Sequence, residues 1–252
     1  METSAGEQGR RSGASRRSPS SELVTRAAET LPVLDQLLRR VYHTADLGNK
    51  ADPLDELVYI QLSIRTREGA YQSIYSALRD LTGGDWKRLL ATPEEEALRT
   101  LHAGGMAAVK LHRLRNQIRA IKEAFGDATL KPLQEADDES AERFLTSLEG
   151  VGKKAARCVL LYSLGRDVFP VDSHCRRVLT RLGFVPAGVD RKAADDFLQA
   201  LVPPAIRFTL HVNLVHHGRA CCVPVQPQCT KCVLLPHCPT GQMRVASCSH
   251  PD

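Results

Sequence analysis

Apolar residues recur every three or four positions along most of the chain from Leu23 onward, as in LPVLDQLLRRVY at 31–42. This spacing places them on one face of an α-helix. Few stretches show the strict alternation that is typical of half-buried strands, so the pattern predicts an all-α fold. Further helices are predicted at 68–80, 106–125, 139–148, 153–164, 173–182, 190–200 and 204–216.

Two helix starts can be placed from local chemistry. Asp52 stands before a proline, which is favoured at the first helical position. Thr92 also stands before a proline and has Glu95 three residues later, which predicts a capping box. Neither a fixed-period repeat nor a long low-complexity linker interrupts 23–240, so a second domain would have to pack closely against the first.

Composition separates the two ends from the rest of the chain. Residues 1–21 are rich in Ser, Gly and Arg, which predicts a disordered basic tail, and 241–252 are expected to form a flexible tail. The formal charge of +5 is mild, so it indicates a polyanionic partner only if the positive residues cluster. The sequence shows neither a long apolar run nor a secretory signal, so we expect an intracellular protein without a membrane span, cytoplasmic and at the nucleoid if bacterial.

Five of the eight cysteines lie within CCVPVQPQCTKCVLLPHC at 221–238. An intracellular protein is expected to keep its thiols reduced, and so short a loop could not readily form an unstrained set of disulfides. From Cys222 the spacing is C-x6-C-x2-C-x5-C, and four thiolates suit both tetrahedral zinc and an iron–sulfur cluster. Of the others, Cys158 and Cys175 fall on predicted helices and are expected to be small buried hydrophobes, and Cys248 lies in the expected tail.

The segment FLTSLEGVGKKAARCVLLYSLGRDVFPVDSHCRRVLTRLGF at 144–184 predicts a helix, a tight turn and a second helix. The first helical pattern ends at Leu148, Gly150 and Gly152 permit the turn, and Lys153 begins the next helix. The amides of such a turn and helix N-terminus can bind a phosphate without reading sequence. Glycine also ends helices for structural reasons alone, so the turn by itself leaves both interpretations open.

Lys154 and Asp172 are the residues in this segment whose side chains best suit catalysis. An amine and a carboxylate in one cleft can carry out imine chemistry on a sugar: the amine attacks and the carboxylate stabilises positive charge or takes a proton. Because a neutral amine is the nucleophile, such a site is expected to favour the unprotonated form of Lys154. The structural alternative is a helix N-cap for Asp172 and a phosphate contact for Lys154, and spacing alone favours it.

Three motifs, in the same order and register, resemble the endonuclease III family of helix-hairpin-helix DNA glycosylases. LEGVGKKAARCVL resembles the family's hairpin, FPVDSH resembles its catalytic-aspartate segment, and the cysteines after HGR are similar to its 4Fe–4S loop. The resemblance covers about 30–240. It includes LDELVYIQLSIRT, similar to an early helix end of the family, and GGMAAVKLHRL at 104–114, similar to a DNA-side loop.

The resemblance implies two closely packed helical domains with a DNA-binding cleft between them. One would be a six-helix domain at 46–166 with the hairpin, and the other an iron–sulfur domain built from 22–45 and 167–240. In that family a lysine matching Lys154 forms a Schiff base with C1′ of a flipped nucleotide, assisted by an aspartate matching Asp172. The implied function is a bifunctional DNA glycosylase and abasic-site lyase for oxidised pyrimidines, acting as a monomer on double-stranded DNA that contains a damaged base.

The resemblance also implies the remaining site residues. The 4Fe–4S ligands would be Cys222, Cys229, Cys232 and Cys238, with Cys221 outside the set. The expected DNA contacts are Gly150, Gly152, Lys153, Arg65 and Lys110, with further phosphate contacts from the basic helix at 110–122.

Three residues depart from the family pattern. Arg65 replaces a glutamine that is thought to fill the gap left by the flipped base. Because arginine is longer, charged and able to reach guanine acceptors, the preferred lesion or opposite base can differ from that of the family. Glu149 replaces a proline and puts a negative charge beside the phosphate site, and Ser173 replaces a threonine. Two alternatives stay open, a monofunctional or mismatch-directed glycosylase and a non-catalytic DNA-binding module; binding alone would not need both Lys154 and Asp172.

Overall fold

A computed structural model describes residues 18–67, 69–186 and 189–248. Over these ranges the chain forms α-helices and short 3-10 helices and contains no strand, which confirms the all-α prediction. The α-helices are α1 Ser21–Tyr42, α2 Pro53–Ser63, α3 Ala70–Leu81, α4 Glu94–Leu101, α5 Ala107–Phe125, α6 Asp138–Ser147, α7 Lys153–Tyr162, α8 Ser173–Arg181, α9 Arg191–Leu201, α10 Arg207–Ala220 and α11 Pro239–Cys248. The 3-10 helices are Trp86–Leu90, His102–Gly104, Lys131–Gln134, Pro204–Ile206, Cys229–Lys231 and Leu235–His237.

One of the two predicted helix starts is correct. A carboxylate oxygen of Asp52 accepts the amide of Leu54 at 2.9 Å and caps α2. The capping box at Thr92 is wrong, because its hydroxyl donates instead to the carbonyl of Arg88 at 2.8 Å, in the preceding 3-10 helix. Helix α4 therefore begins at Glu94 without a side-chain cap.

Both predicted tails need revision where the structure describes them. Helix α1 begins at Ser21, and the rest of the predicted N-terminal tail, 1–17, lies outside the described residues. The flexible C-terminal tail is wrong over 241–248, which belong to α11. This helix is held against the cysteine loop, since the side-chain amide of Gln242 donates to the carbonyls of Leu235 and Pro236 at 3.2 and 2.9 Å. Residues 249–252 lie outside the described ranges.

The buried apolar residues form two separate cores. One core contains residues from Leu54 to Val168, contributed mainly by α2 to α7. The other combines Ala27–Leu38 of α1 with residues from Phe169 to Cys238. This grouping supports the expected division into 46–166 and 22–45 with 167–240, and that division stays a proposal.

The chain passes from one core to the other through residues 43–52. His43 and Thr44 both have positive φ angles, 54° and 51°, which non-glycine residues rarely adopt. The side chain of the buried Asn213 on α10 fixes this strained segment: it accepts the Thr44 amide and donates to the Thr44 hydroxyl, both at 3.1 Å. Within the described part of the chain, none of the helices has the length and apolar character needed to span a membrane.

Candidate active site and metal centre

A cleft of about 1000 Å³ opens where the two cores meet. Lys154, Cys158 and Tyr162 lie on successive turns of α7 and line it, as expected for positions four residues apart on one helical face. Asp172 at the start of α8 and His211 of α10 also line it. The structure thus places both predicted catalytic residues at one cleft.

Asp172 is the N-cap of α8, and one of its carboxylate oxygens accepts the amide of Cys175 at 2.7 Å. The structural role considered for this residue is therefore present. Burial alone would raise the pKa of Asp172, but His211, the Cys175 amide and Lys154 hold that pKa below its usual value. Burial lowers the pKa of His211 to about 4, so at neutral pH the imidazole is uncharged and the amide and Lys154 stabilise the carboxylate.

Groups around Lys154 raise the pKa of its amine in the free protein. Burial lowers the pKa of its amine, but Cys158, Asp172 and Glu56 outweigh burial and raise that pKa above its ordinary value. Burial also raises the pKa of Cys158 to about 11, so this thiol is neutral near pH 7 and the two carboxylates are the charges that act on Lys154. The direction of this shift does not favour the neutral amine that was expected from the sequence.

Two polar groups near this site were missed from the sequence. Glu56 of α2 is fully buried, and its carboxylate accepts the Lys50 amide at 2.7 Å and the Asn49 side-chain amide at 2.5 Å. Burial raises the pKa of Glu56 to about 7. The Tyr162 hydroxyl is buried and has no hydrogen-bond partner among the described residues. Its spacing of eight residues from Lys154 was a usable signal, because α7 repeats every 3.6 residues.

The predicted hairpin is a tight turn between α6 and α7. The amide of Val151 donates to the carbonyl of Leu148 at 3.1 Å, and Gly150 has a φ of 75°. A Cβ at Gly150 would also lie 2.8 Å from Cδ of Arg113, so the turn requires glycine there. Gly152 has an ordinary φ of −96° and open space around it, so its backbone faces outward at the start of α7.

The charges around the hairpin are more balanced than the sequence suggested. Lys153 Nζ lies 2.5 Å from a carboxylate oxygen of Asp196, so a phosphate would have to share this lysine. The Glu149 carboxylate accepts the Asn116 side-chain amide at 2.7 Å and lies 3.7 Å from Nε2 of His112. Both contacts draw that negative charge toward α5.

Lys110 does not point toward solvent, contrary to the prediction of a DNA contact. Its side chain is buried, and its ammonium donates to the carbonyls of Leu62 and Gly104 at 3.1 and 2.9 Å and to the Thr66 hydroxyl. We correct its role from DNA contact to internal contact. Arg65, by contrast, is exposed and stands in the chain between Ile64 and Thr66, which both line the cleft.

The basic helix predicted at 110–122 is only partly available for phosphates. Arg115 points inward like Lys110, and its guanidinium donates to the carbonyls of Leu89 and Thr92. Arg119 and Lys122 of the same helix are exposed. Sequence alone could not separate these residues, because the apolar stripe of this helix is interrupted by charges on both of its edges.

The predicted cysteine ligands line one small cavity beside α8. Cys222, Cys229, Cys232 and Cys238 all contribute to it, together with Cys221. Arg181 of α8 donates to Cys222 Sγ at 3.2 Å. The donor set and its surroundings therefore fit a metal centre.

The tightest cluster of possible ligand atoms in the described part of the chain is not the predicted set. A ring nitrogen of His217 and the sulfurs of Cys221 and Cys232 all lie within 4.8 Å of one another. The Tyr42 hydroxyl lies 3.0 Å from His217 Nδ1, which leaves Nε2 facing Cys232 Sγ at 3.5 Å. His217 and Cys221 are thus possible metal ligands in addition to the predicted cysteines.

Comparison with known proteins identifies relatives of the chain, although no family model matches it. It is 30% identical over 168 residues to an Arabidopsis thaliana protein described as a candidate DNA glycosylase, and 35% identical over 121 residues to endonuclease III of Sulfolobus acidocaldarius. These alignments cover 67% and 48% of the chain, and they span 57% and 53% of the length of those relatives.

Endonuclease III of Thermotoga maritima matches over almost its whole length: 27% identity over 207 residues, covering 82% of the chain and 92% of that protein. The chain is similar to the endonuclease III family along most of its length. Among solved structures, an endonuclease III–DNA complex superposes with a TM-score of 0.74 at 22% identity, covering 86% of the chain and 98% of its own. A thermostable thymine-DNA glycosylase superposes with a TM-score of 0.72 at 19% identity, over 87% and 98%. At these identities the structures establish the endonuclease III fold alone.

Proposed function

We propose that the protein is a DNA glycosylase with abasic-site lyase activity that removes oxidised pyrimidines from double-stranded DNA. The observation that carries this proposal is the cleft between the two cores, with Lys154 on one wall and Asp172 on another. A duplex can present a base–sugar bond to these residues only if the nucleotide leaves the stack. A cleft of about 1000 Å³ has room for one such nucleotide.

In the proposed reaction the amine of Lys154 attacks C1′ of the flipped nucleotide. The bond between C1′ and the base breaks, and the base leaves with the bonding electrons and takes up a proton. Loss of a proton from nitrogen and opening of the sugar give a Schiff base, and β-elimination then breaks the 3′ C–O bond. The Asp172 carboxylate, held by the Cys175 amide, stabilises the positive charge that develops on the sugar.

This reaction requires Lys154 to lose a proton after the DNA binds. Its pKa is raised in the free protein by neighbouring carboxylates, although burial already opposes that effect. A bound duplex would exclude water from the cleft and strengthen the desolvation, which lowers the pKa of an amine. We expect Glu56 to accept the proton, because its carboxylate acts on Lys154 and has a pKa raised to about 7, whereas Asp172 keeps its charge.

DNA would bind across the mouth of the cleft. We propose that a phosphate binds at the hairpin, where Gly150 and Gly152 expose backbone amides and Lys153 adds a charge shared with Asp196. Arg65 would enter the gap left by the flipped nucleotide and hydrogen bond to an opposite guanine. The exposed cations of α5 would add contacts that do not depend on sequence.

We also propose that Cys222, Cys229, Cys232 and Cys238 hold a 4Fe–4S cluster. Support comes from their shared cavity, from the Arg181 donor at Cys222 and from the similarity to the endonuclease III family. In this protein such a group would supply structural support, because Arg181 joins the loop to α8 and the Gln242 side chain joins it to α11. Zinc bound to four thiolates is the chemical alternative.

The proposed function is tested by trapping the Schiff base with borohydride. The parent protein, mixed with duplexes that each carry one oxidised pyrimidine, is expected to form a covalent adduct and to cleave the strand. Lys154→Gln should still bind the same duplexes but form no adduct, because it has no amine. Lys131→Gln, an exposed lysine away from the cleft, serves as the matched control. An adduct formed by Lys154→Gln as efficiently as by the parent would assign the nucleophile to another amine.

The raised pKa of Lys154 in the free protein favours one second candidate, a monofunctional glycosylase. If the ammonium persisted after DNA binding, water would attack C1′ and Lys154 would act only as a charge. The same experiment separates the two: this candidate releases the base and leaves an uncut abasic site without a trapped adduct. Binding without base release on any duplex would instead indicate a non-catalytic DNA-binding module.

A further inference from the structure

Lys110 is a buried cation that donates three hydrogen bonds. The acceptors lie in two segments of the chain, one at the end of α2 and one just before α5. Its ammonium donates to the Leu62 carbonyl at the end of α2 and to the Gly104 carbonyl before α5. The third acceptor is the Thr66 hydroxyl, whose oxygen also lies 3.0 Å from the Gly104 carbonyl oxygen. None of these acceptors is a carboxylate, so the group is positioned for geometry and not for charge pairing.

One of the two segments contains a strained turn. Ile64 has φ −60° and ψ 120°, Arg65 has φ 52°, and the Thr66 amide donates to the Ser63 carbonyl at 3.1 Å. These values describe a type II turn, in which the third position normally requires glycine. Arg65 occupies that position, so the surrounding contacts must hold its backbone in place.

The segment just before α5 also contains a strained backbone position. Met106 precedes α5 with a φ of 53°, and its side chain is 42% exposed. Gly104 lies against the first segment so closely that a Cβ there would be 2.8 Å from Cδ1 of Ile74 and 3.3 Å from Lys110 Nζ. The ammonium of Lys110 therefore lies between two strained loops, each of which presents an exposed side chain.

We propose that Lys110 is a positioning residue that locks the Arg65 turn against the Gly104–Met106 loop, so that the exposed side chains of Arg65 and Met106 are held in place before DNA arrives. Burial lowers the pKa of Lys110 and so disfavours its charge. The ammonium is nevertheless surrounded by three uncharged acceptors that fix its position. The role assigned to Arg65 rests on the proposed function, whereas the locking of the two loops does not. A lysine that merely filled space would stabilise the whole core and would not act on these two loops in particular.

The test is amide hydrogen exchange of the free protein, with and without Lys110→Met. Methionine keeps the length of the side chain and removes its donors. We expect exchange to become faster by about tenfold or more at the Thr66 and Gly105 amides, whose turn hydrogen bonds lie in the two loops, with little change in α7. Lys131→Met is the matched control. Unchanged exchange at Thr66 and Gly105 would overturn the proposal, and so would an equal increase throughout the core.

A second substitution separates the strained backbone from the arginine side chain. Glycine adopts a positive φ freely, so Arg65→Gly in the Lys110→Met protein should restore slow exchange at Thr66. We expect Lys110→Met to slow base release, and the double variant should remain slow because the arginine side chain is absent. Continued fast exchange at Thr66 in the double variant would show that strain at Arg65 is not what Lys110 controls.

A second variant, Thr66→Ala, tests the same contact between the two loops. If Lys110→Met does not fold, Thr66→Ala removes one of the three acceptors and should give the same two-loop pattern with a smaller increase. Should the parent protein release no base from any duplex, the proposed function fails while the exchange data still decide the locking of the loops. Faster exchange in both loops with unchanged base release would limit Lys110 to the fold.

Discussion

Asp172 has two roles that depend on different properties of one side chain. Its carboxylate oxygen caps α8, which requires only an acceptor, and it faces the cleft as a negative charge, which requires a carboxylate. Asparagine is as good a cap as aspartate, whereas alanine caps poorly. Substitution by these two residues therefore separates the structural role from the proposed catalytic role.

We predict that Asp172→Asn keeps α8 and loses most base release, since the amide can accept the Cys175 N–H but carries no charge. Asp172→Ala should lose base release and also lower the free energy of unfolding by about 1 kcal/mol through loss of the cap. Denaturant unfolding and single-turnover base release on a lesion duplex provide the two measurements.

A second helix cap supplies the control for this pair. Asp137 caps α6 by accepting the Ser140 amide at 2.8 Å and does not line the cleft. Asp137→Ala should reduce stability by a similar amount and release the base at the rate of the parent. If Asp172→Asn released the base as fast as the parent, the negative charge would have no part in the reaction.

Sequence reasoning at this scale succeeded for residues that stand at helix starts and failed for charges inside helices. Asp52 could be placed because a cap depends on its immediate neighbours in the chain. The burial of Lys110 and Glu56 depends on which helix packs over them, and that information lies in contacts distant along the chain. Thr92 failed for a local reason, since its hydroxyl had a competing carbonyl one turn earlier.

At the scale of elements, the loop between α10 and α11 depends on its cysteines for order. It contains two short 3-10 helices and contributes few fully buried apolar side chains of its own. Cys221 decides between the two possible ligand sets. It lies outside the set implied by the family but inside the tight group formed with His217 and Cys232.

We predict that the purified protein carries about four irons per chain, as expected for a cluster held by four thiolates. Cys229→Ser and Cys232→Ser should lose the iron and the associated yellow-brown absorbance, whereas Cys221→Ser should keep both. Metal analysis of protein prepared without oxygen gives the answer. Stoichiometric zinc, lost on Cys221→Ser, would assign the site to the group with His217 instead.

The helices themselves could be predicted closely because most carry a clear apolar stripe, as α8 does with Cys175, Val178 and Leu179 buried on one side. Helix α10 was found even though it is buried on several sides. The end of the chain was misjudged, because α11 owes its position to the cysteine loop and not to an apolar stripe of its own. The separation into two cores was expected from the family resemblance. The apolar periodicity alone did not predict it.

At the scale of the whole molecule, stability should depend on pH through buried titratable groups. The pKa of Glu56 is raised from 4.5 to about 7, so the folded protein holds a proton that the unfolded chain releases. Stability from this group is therefore full below pH 4.5 and is lost as the pH rises toward 7. His211 acts in the opposite direction, because a folded pKa of about 4 makes stability rise from pH 4 to 6.5.

We predict that Glu56→Gln removes the first of these contributions and leaves the second. Relative to the parent, its free energy of unfolding should improve by about 3 kcal/mol between pH 4.5 and 7.5, on top of a constant loss from changed hydrogen bonds. Unfolding in denaturant at several pH values measures the difference. Glu139→Gln, at an exposed position, should follow the parent at every pH. A constant difference between Glu56→Gln and the parent would show that Glu56 titrates normally.

The second core is assembled from two distant parts of the chain. Asp35 on α1 and Thr209 on α10 are hydrogen bonded across 174 residues of sequence. During synthesis α1 leaves the ribosome first, and its apolar side chains have no native partner until α10 follows, about ten to thirty seconds later at ordinary translation speeds. The first core can close in the meantime, because its residues end at Val168. During this interval the nascent protein has a folded first core and an α1 helix whose apolar face is exposed. We expect chaperone binding and aggregation to involve that exposed face.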